Sequence, residues 1–265
     1  MKRAAIAALV LLAGCATTAP IDRQDLGPKR AAMVAQIREA MIRADPKVDD
    51  AFLVRALASV SAVPREAFVV PAARTIAYLD VPLVIGFGQT ISAPHIVTLM
   101  TVAAHVSPDD TVLDVGTGSG YQAAVLSRLV RHVTSVEIVP ELASQAARRL
   151  AHLGYRNVEV HAADGFAGWP AAAPFDAIIV AAGAARVPSA LIGELTIGGR
   201  LVMPIGSSTA QEQLLVITKT ADGSITRCSL GPTMFVPLTG KGQRADQMHG
   251  LIDRSIPLCY AAPLT

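Results

Sequence analysis

"VLDVGTGSGYQ", residues 112–122, breaks from an apolar run into three glycines spaced two apart, and the fold turns on how that break is read. Val112, Leu113 and Val115 form a short apolar strand, and residues 119–130 carry helical spacing. A strand therefore runs through a glycine turn into a helix. In that setting side chains would block a ligand from the backbone N–H groups at the helix N-terminus, so the bare backbone has a use beyond tight turning. Asp114 stands at the strand's end, and the next strand, "HVTSVEIV", carries Glu137. That glutamate lies close to the roughly 20-residue offset at which an acidic residue takes ribose hydroxyls in nucleotide-binding folds. The spacing points to a nucleoside-containing ligand.

Two ligand classes use this layout. A dinucleotide site wants G-x-G-x-x-G, with the third glycine letting helix and strand pack closely beside a pyrophosphate. Here Tyr121 holds that place and the glycine falls one residue early, at Gly120. G-x-G-x-G after a strand ending in Asp resembles instead the pattern of S-adenosylmethionine-dependent methyltransferases, whose ligand has no phosphate.

The chain has 265 residues, 52% of them hydrophobic and only 4% aromatic, enough for a sizeable aliphatic core in one domain. There are 23 basic and 21 acidic residues, with no dense Lys/Arg block and no aromatics interleaved with basic residues, so no nucleic-acid partner is expected. The six histidines are scattered without ligand spacing, and no metal site is expected.

"MKRAAIAALVLLAGC" has a basic start (Lys2, Arg3), an apolar stretch over residues 4–13 and small residues before Cys15. It reads as a secretory signal, too short for a spanning helix. "LAGC" resembles the bacterial lipoprotein processing box, which implies a lipidated Cys15 as the first mature residue and a chain anchored on the periplasmic side of the cell envelope. The competing expectation is a cytoplasmic protein whose leader is not used. Removing Lys2 and Arg3 leaves basic and acidic residues equal in number. Cys228 and Cys259 remain as two thiols whose pairing the spacing does not decide.

Residues 15–28 read as a tether, polar and without period, and two helical patterns follow, in "KRAAMVAQIREAMIRA" and over about residues 49–60. Residues 68–94 read as ordered loop, and "PHIVTLMTVAAHV" restores a helix. From Thr111 strands at "TVLDV", "HVTSVEI", "NVEVHAA", "FDAIIVAA" and "GRLVMPIG" alternate with helices such as "PELASQAARRLAHLG", where Pro140 takes a first-turn position and Gly154 a C-terminal cap. This predicts an α/β fold, a doubly wound, mostly parallel Rossmann-like sheet with an N-terminal helical cap. "EQLLVITKT" and "SITRCSL" predict a closing β-hairpin across "ADG". The domain plan is a signal over 1–14, the tether, a methyltransferase domain over 29–240 divided at residue 94, and a tail over 241–265 without assigned structure.

"GFGQTISAPHI", "VLDVGTGSGYQAAVLSRL", "AADGFAGWPAAAPFDAIIV", "GGRLVMPIG" and "FVPLTG" occur in the order, and at about the spacing, of protein-L-isoaspartate O-methyltransferases. "AAMVAQI" and "VPREAFV" also resemble that family's N-terminus. The resemblance runs from about Lys29 to Gly240. It implies methyl transfer from S-adenosylmethionine to the α-carboxyl of isoaspartyl residues in damaged proteins or peptides. The ester then closes to a succinimide that can reopen as Asp. A carboxylate with an ordinary pKa of about 3.9 is ionised at neutral pH and needs no general base.

By this resemblance Ser92 is the residue at the active centre, hydrogen-bonding the isoaspartyl carboxylate, although its place before Pro94 also suits a helix N-cap. Asp114, Gly116, Thr117, Gly118 and Gly120 would form the cofactor loop, Glu137 would take the ribose hydroxyls, and Asp164 with Gly165 would lie beside the adenine. Read without the resemblance, Asp164 is a turn residue. Thr90, Ile91 and His95 would border the substrate, and Phe235, Val236 and Pro237 would close over its backbone. Met234 stands where the family commonly has arginine, Ala181 where it has threonine, and Glu194 where it has glutamine, which puts substrate preference in doubt. Two other readings remain open: a methyltransferase of this scaffold with another substrate, and a lipid-anchored binding protein without turnover.

Overall fold

The computed structural model describes residues 25–45, 50–207, 211–240, 253 and 255–260. The signal, Cys15 and most of the tether and tail lie outside these residues. Helices α1 (Gly27–Ala44) and α2 (Ala51–Ala62) open the chain, followed by a hairpin of β1 (Leu83–Gly86) and β2 (Gln89–Ile91), and by α3 (Pro94–Ala104). The alternating region holds β3 (Thr111–Val115), α4 (Tyr121–Ser127), β4 (His132–Glu137), α5 (Pro140–His152), β5 (Val158–Ala162), β6 (Phe175–Val180), α6 (Ser189–Gly193) and β7 (Leu195–Ser207). β8 (Gln211–Lys219) and β9 (Ile225–Thr233) form the closing hairpin expected across "ADG".

Seven strands make one sheet in the order β5-β4-β3-β6-β7-β8-β9. The first five run parallel and the last two antiparallel. Side chains alternate between two buried clusters along each central strand: Val112, Ala177 and Ile179 face one, Leu113, Val115, Ile178 and Val180 the other. That period of two, with apolar residues on both faces, makes a parallel sheet covered by helices the stable arrangement. α1 and α2 pack into the first cluster through Met33, Ile37, Leu53 and Val60. The chain leaves β3 towards β4 on one side, while β6 lies on the other, so the crevice beyond the carboxyl end of β3 is a topological switch point.

Local chemistry sets the helix ends. Asp50 caps α2, its Oδ1 accepting from Phe52 N and Leu53 N at 2.9 Å each. Pro94 and Pro140 open α3 and α5, and Gly154 follows α5 at φ +86°. α4 is shorter than its sequence pattern, because Gly120 at φ +89° delays the start to Tyr121. Ser92 does not cap α3: the N-cap is Ala93, and the first-turn N–H of His95 is met by Asp80 Oδ1 instead.

Part of the tail, which carried no expectation of structure, is ordered. Cys228 and Cys259 form a disulfide with Cα atoms 4.9 Å apart. Ser229 N donates to Pro257 O and Cys259 N to Ser229 O, so residues 257–259 cover part of the free edge of β9.

Replacing the α2 cap, Asp50→Ala, is expected to lower folding stability by about 1 kcal/mol, as read by urea denaturation.

Candidate functional site

Gly116, Gly118 and Gly120 all adopt positive φ, at 90°, 52° and 89°. A side chain at any of them would be strained, and the turn they make is pinned by its neighbours. Gly116 N and Thr117 N donate to Val136 O at 2.8 and 3.2 Å, Gly120 N donates to Thr117 O at 2.7 Å, and Gly118 N donates to Glu137 Oε2 at 2.8 Å. The other oxygen of Glu137 accepts from Val139 N at 3.0 Å. With one N–H on each oxygen, the carboxylate, 6% exposed, retains lone pairs for further donors such as hydroxyls.

Asp114 departs from its expected role. It is fully buried beneath the loop and lines neither cavity described below. Ser135 Oγ donates to Asp114 Oδ2 at 2.7 Å, which leaves Thr117 Oγ1 to donate to Ser135 Oγ at 2.6 Å. Asp114 therefore holds the loop through two hydroxyls instead of reaching a ligand. Its Oδ1 has no hydrogen-bond partner among the described residues. Burial pushes its carboxyl up to about 7, opposed by the Ser135 bond and assisted by repulsion from Glu137.

The cleft over the glycine turn is lined by Gly116, Thr117, Gly118, Glu137, Gly165 and, across from them, Thr90, Ile91, Ser92, Ala181, Val236 and Pro237. Gly165 has no room for a side chain, since a Cβ would lie 2.3 Å from Val115 Cγ1. Asp164 sits one residue outside this lining. Its Oδ1 accepts from Phe166 N at 2.9 Å, so the turn role read from the sequence is present. A second cavity of about 470 Å³ adjoins the cleft and includes His95, Met234 and Phe235. Thr90, Ser92, Ala181 and Val236 border both spaces. His95 is held by Asp80, whose Oδ1 meets both His95 N and His95 Nδ1 at 2.9 Å.

Of the three family departures, Met234 is 75% exposed at the second cavity and Ala181 stands at the junction. Glu194 lines neither space; it is buried and accepts from Trp169 N at 2.8 Å. Burial raises its pKa.

Several participants escaped the sequence reading, Ile138, Leu238 and Thr239 among them. Gln89 lines the cleft, and its only signal was its place in "GFGQTISAPHI". Glu212 is 1% exposed, its carboxyl pushed up to about 7 by burial against the opposing Phe235 N bond. A charged residue opening the apolar run "EQLLVITK" was the available signal. Glu212 Oε2 accepts from Phe235 N at 2.8 Å, and the following residues pair with Gly183: Gly183 N donates to Val236 O and Leu238 N to Gly183 O. Residues 234–238 thus form a strap across both spaces.

The residues fit a nucleoside-bearing ligand: a cleft floor without Cβ atoms at Gly116, Gly118 and Gly165, beside an acidic group with free acceptor capacity. Comparison with known proteins agrees. Residues 29–243 match the family described as protein-L-isoaspartate(D-aspartate) O-methyltransferase. A protein-L-isoaspartate O-methyltransferase of Nitrosococcus oceani is 53% identical over 187 residues, covering 71% of this chain and 85% of that protein. One from Cupriavidus necator is 45% identical over 237 residues, covering 89% and 91%. A solved protein-L-isoaspartate O-methyltransferase superposes with TM-score 0.69 at 27% identity, covering 80% of this chain and 66% of that one. Another, from Plasmodium falciparum in complex with S-adenosyl-L-homocysteine, has TM-score 0.66 at 24% identity, covering 79% and 98%, and shares the fold.

An acid whose pKa is higher folded than unfolded favours folding while protonated, so that contribution is complete below the ordinary carboxylate range and is lost as pH rises through the folded pKa, here about 7. Asp114→Asn, which removes the ionisation, is expected to raise Tm relative to the parent more at pH 8 than at pH 4, by thermal unfolding at both. An equal change at the two pH values would contradict it.

Proposed function

The chain belongs to the protein-L-isoaspartate(D-aspartate) O-methyltransferase family, and on that premise we infer that it methylates the α-carboxyl of L-isoaspartyl residues in damaged proteins or peptides, with S-adenosylmethionine as cofactor. The observation that carries this is the junction at Thr90, Ser92, Ala181 and Val236, where a glycine-floored cleft with an acidic rim meets a second cavity. A methyl donor in the first space and an acceptor in the second would meet only there.

S-adenosylmethionine, when bound, supplies a methyl group already activated by its sulfonium. The protein's own contribution is then orientation. Gly116 and Gly118 would let the backbone approach the ligand, while Gly120, outside the lining, makes room for Leu150 of α5; Glu137 would accept from the ribose hydroxyls, and Gly165 with Asp164 would border the adenine. Ser92 donates to the isoaspartyl carboxylate, which is ionised without a base, while Thr90, Ile91 and His95 wall the substrate and Phe235, Val236 and Pro237 close over its backbone. With the cofactor held in the cleft, a carboxylate oxygen placed by Ser92 would take the methyl as its bond to sulfur broke, and this chain would have no proton to move. Alignment of this kind supplies several kcal/mol of a barrier. Release of methanol as the neighbouring amide nitrogen closes on the ester gives the succinimide.

We propose further that the chain is exported and anchored through lipidated Cys15. The basic, apolar and small-residue segments ending in "LAGC" support this, and so does the Cys228–Cys259 disulfide, a bond that persists in oxidising compartments. The membrane contact would then be the lipid on Cys15, and the enzyme would need S-adenosylmethionine delivered outside the cytoplasm.

Incubating residues 29–265 with methyl-labelled S-adenosylmethionine is expected to label an isoaspartyl peptide and not its aspartyl twin, and Ser92→Ala is expected to lower kcat/KM by about tenfold or more. Cofactor binding without labelling of either peptide would point to another substrate; no binding would favour a non-catalytic anchored protein. In cells, the full chain is expected to take up a labelled lipid precursor and Cys15→Ala to abolish the label; a full-length leader retained on cytosolic protein would refute export.

A further inference from the structure

Resting on the reading of the second cavity as the isoaspartyl site, we infer that Glu212 is a positioning residue for substrate binding: its carboxylate fixes the strap of residues 234–238 by accepting the Phe235 N–H. Among the described residues no other side chain bonds that N–H, and Phe235 and Val236 border the cavity the peptide would fill.

The geometry around Glu212 is a three-layer stack. Its Oε2 receives Phe235 N at 2.8 Å. Its Oε1, without a hydrogen-bond partner among the described residues, lies against the backbone of Gly183, so closely that a Cβ there would come within 1.7 Å of it. Gly183 in turn exchanges hydrogen bonds with the strap, giving N–H to Val236 O and receiving Leu238 N at 2.7 Å. One carboxyl therefore touches Gly183 and, through Phe235, the segment that Gly183 pairs with at the Gly183–Pro237 bridge. An apolar residue at 212 would leave the Phe235 N–H without its acceptor in a half-buried place, which costs more than an ordinary hydrogen bond contributes. The side chain acts through the strap and lines neither the cleft nor the cavity. It also explains why position 183 has no side chain: Gly183 is a contact surface for the carboxyl.

The test uses four variants, Glu212→Ala, Glu212→Gln, Gly183→Ala and the double Gly183→Ala/Glu212→Ala. Two readouts apply: amide hydrogen exchange of Gly183, Phe235 and Leu238 in the unliganded protein, and KM and kcat for the isoaspartyl peptide. Glu212→Ala is expected to speed exchange at those three amides, and to raise peptide KM, by about tenfold, with kcat moving less. Glu212→Gln, whose side-chain carbonyl accepts the same N–H, is expected to retain most of the protection and most of the low KM. Gly183→Ala should mimic Glu212→Ala by displacing the carboxyl, and should add little in the Glu212→Ala background, where the clash is gone. Unchanged exchange and KM in Glu212→Ala would overturn the inference. So would fully additive effects in the double variant, loss in Glu212→Gln equal to that in Glu212→Ala, or uniform loosening of β8 and β9. If the parent protein fails to methylate the peptide, the functional reading falls, and the exchange data still decide whether Glu212 holds the strap.

Discussion

Left-handed backbone at Gly116, Gly118 and Gly120 is the constraint around which the site is arranged. β3 lies inside the sheet between β4 and β6, and its register with both fixes where the chain emerges. The turn that follows is clamped on both sides, by Val136 O on the β4 side and by the Ala181 N to Val115 O bond on the β6 side. Only a residue without Cβ takes these φ values cheaply, and only a bare turn leaves the cleft floor open. The clamp also brings Glu137 to the rim, because the N–H of Gly118 and the end of β4 meet there.

Three carboxylates around the site are buried without an ion-paired cation among the described residues. Asp114, Glu137 and Glu212 instead accept from hydroxyl or backbone N–H donors, with one oxygen of Asp114 and one of Glu212 left without a partner among the described residues. Burying such groups works against folding, and Asp114 and Glu212 show it in raised pKa values. Each is used to hold a main-chain segment from behind, Asp114 the glycine loop through Ser135 and Thr117, Glu212 the strap through Phe235. Strain of this kind collects where a binding surface has to be preorganised. The two walls of the cavity pair are thus supported by different strands of the sheet, one from β3 and one from β8.

Much of this was legible in the chain. Alternating apolar strands and helices specified the covered parallel sheet, the closing hairpin followed from its turn residues, and the glycine spacing separated a nucleoside ligand without phosphate from a dinucleotide. Errors fell where a local signal has two outlets. Ser92 before Pro94 has the chemistry of a cap, yet Ala93, at φ −55° and ψ 145°, takes the N-cap place and the helix starts at Pro94. Asp114 at a strand end has the chemistry of a ligand group, yet the pleat turns its side chain under the loop.

The sequence by itself determined the elements, their order, the sheet's two-sided burial and the glycine turn, because each follows from short-range periodicity and from the φ values particular residues allow. Tertiary structure alone decided that Asp114 supports where Glu137 faces outward, that Glu212 meets Phe235 across more than twenty residues, that Cys228 reaches Cys259, and that two cavities share Thr90, Ser92, Ala181 and Val236. These are pairings between segments distant in the chain, and their energies depend on which backbone and side-chain groups the finished sheet brings within hydrogen-bonding distance.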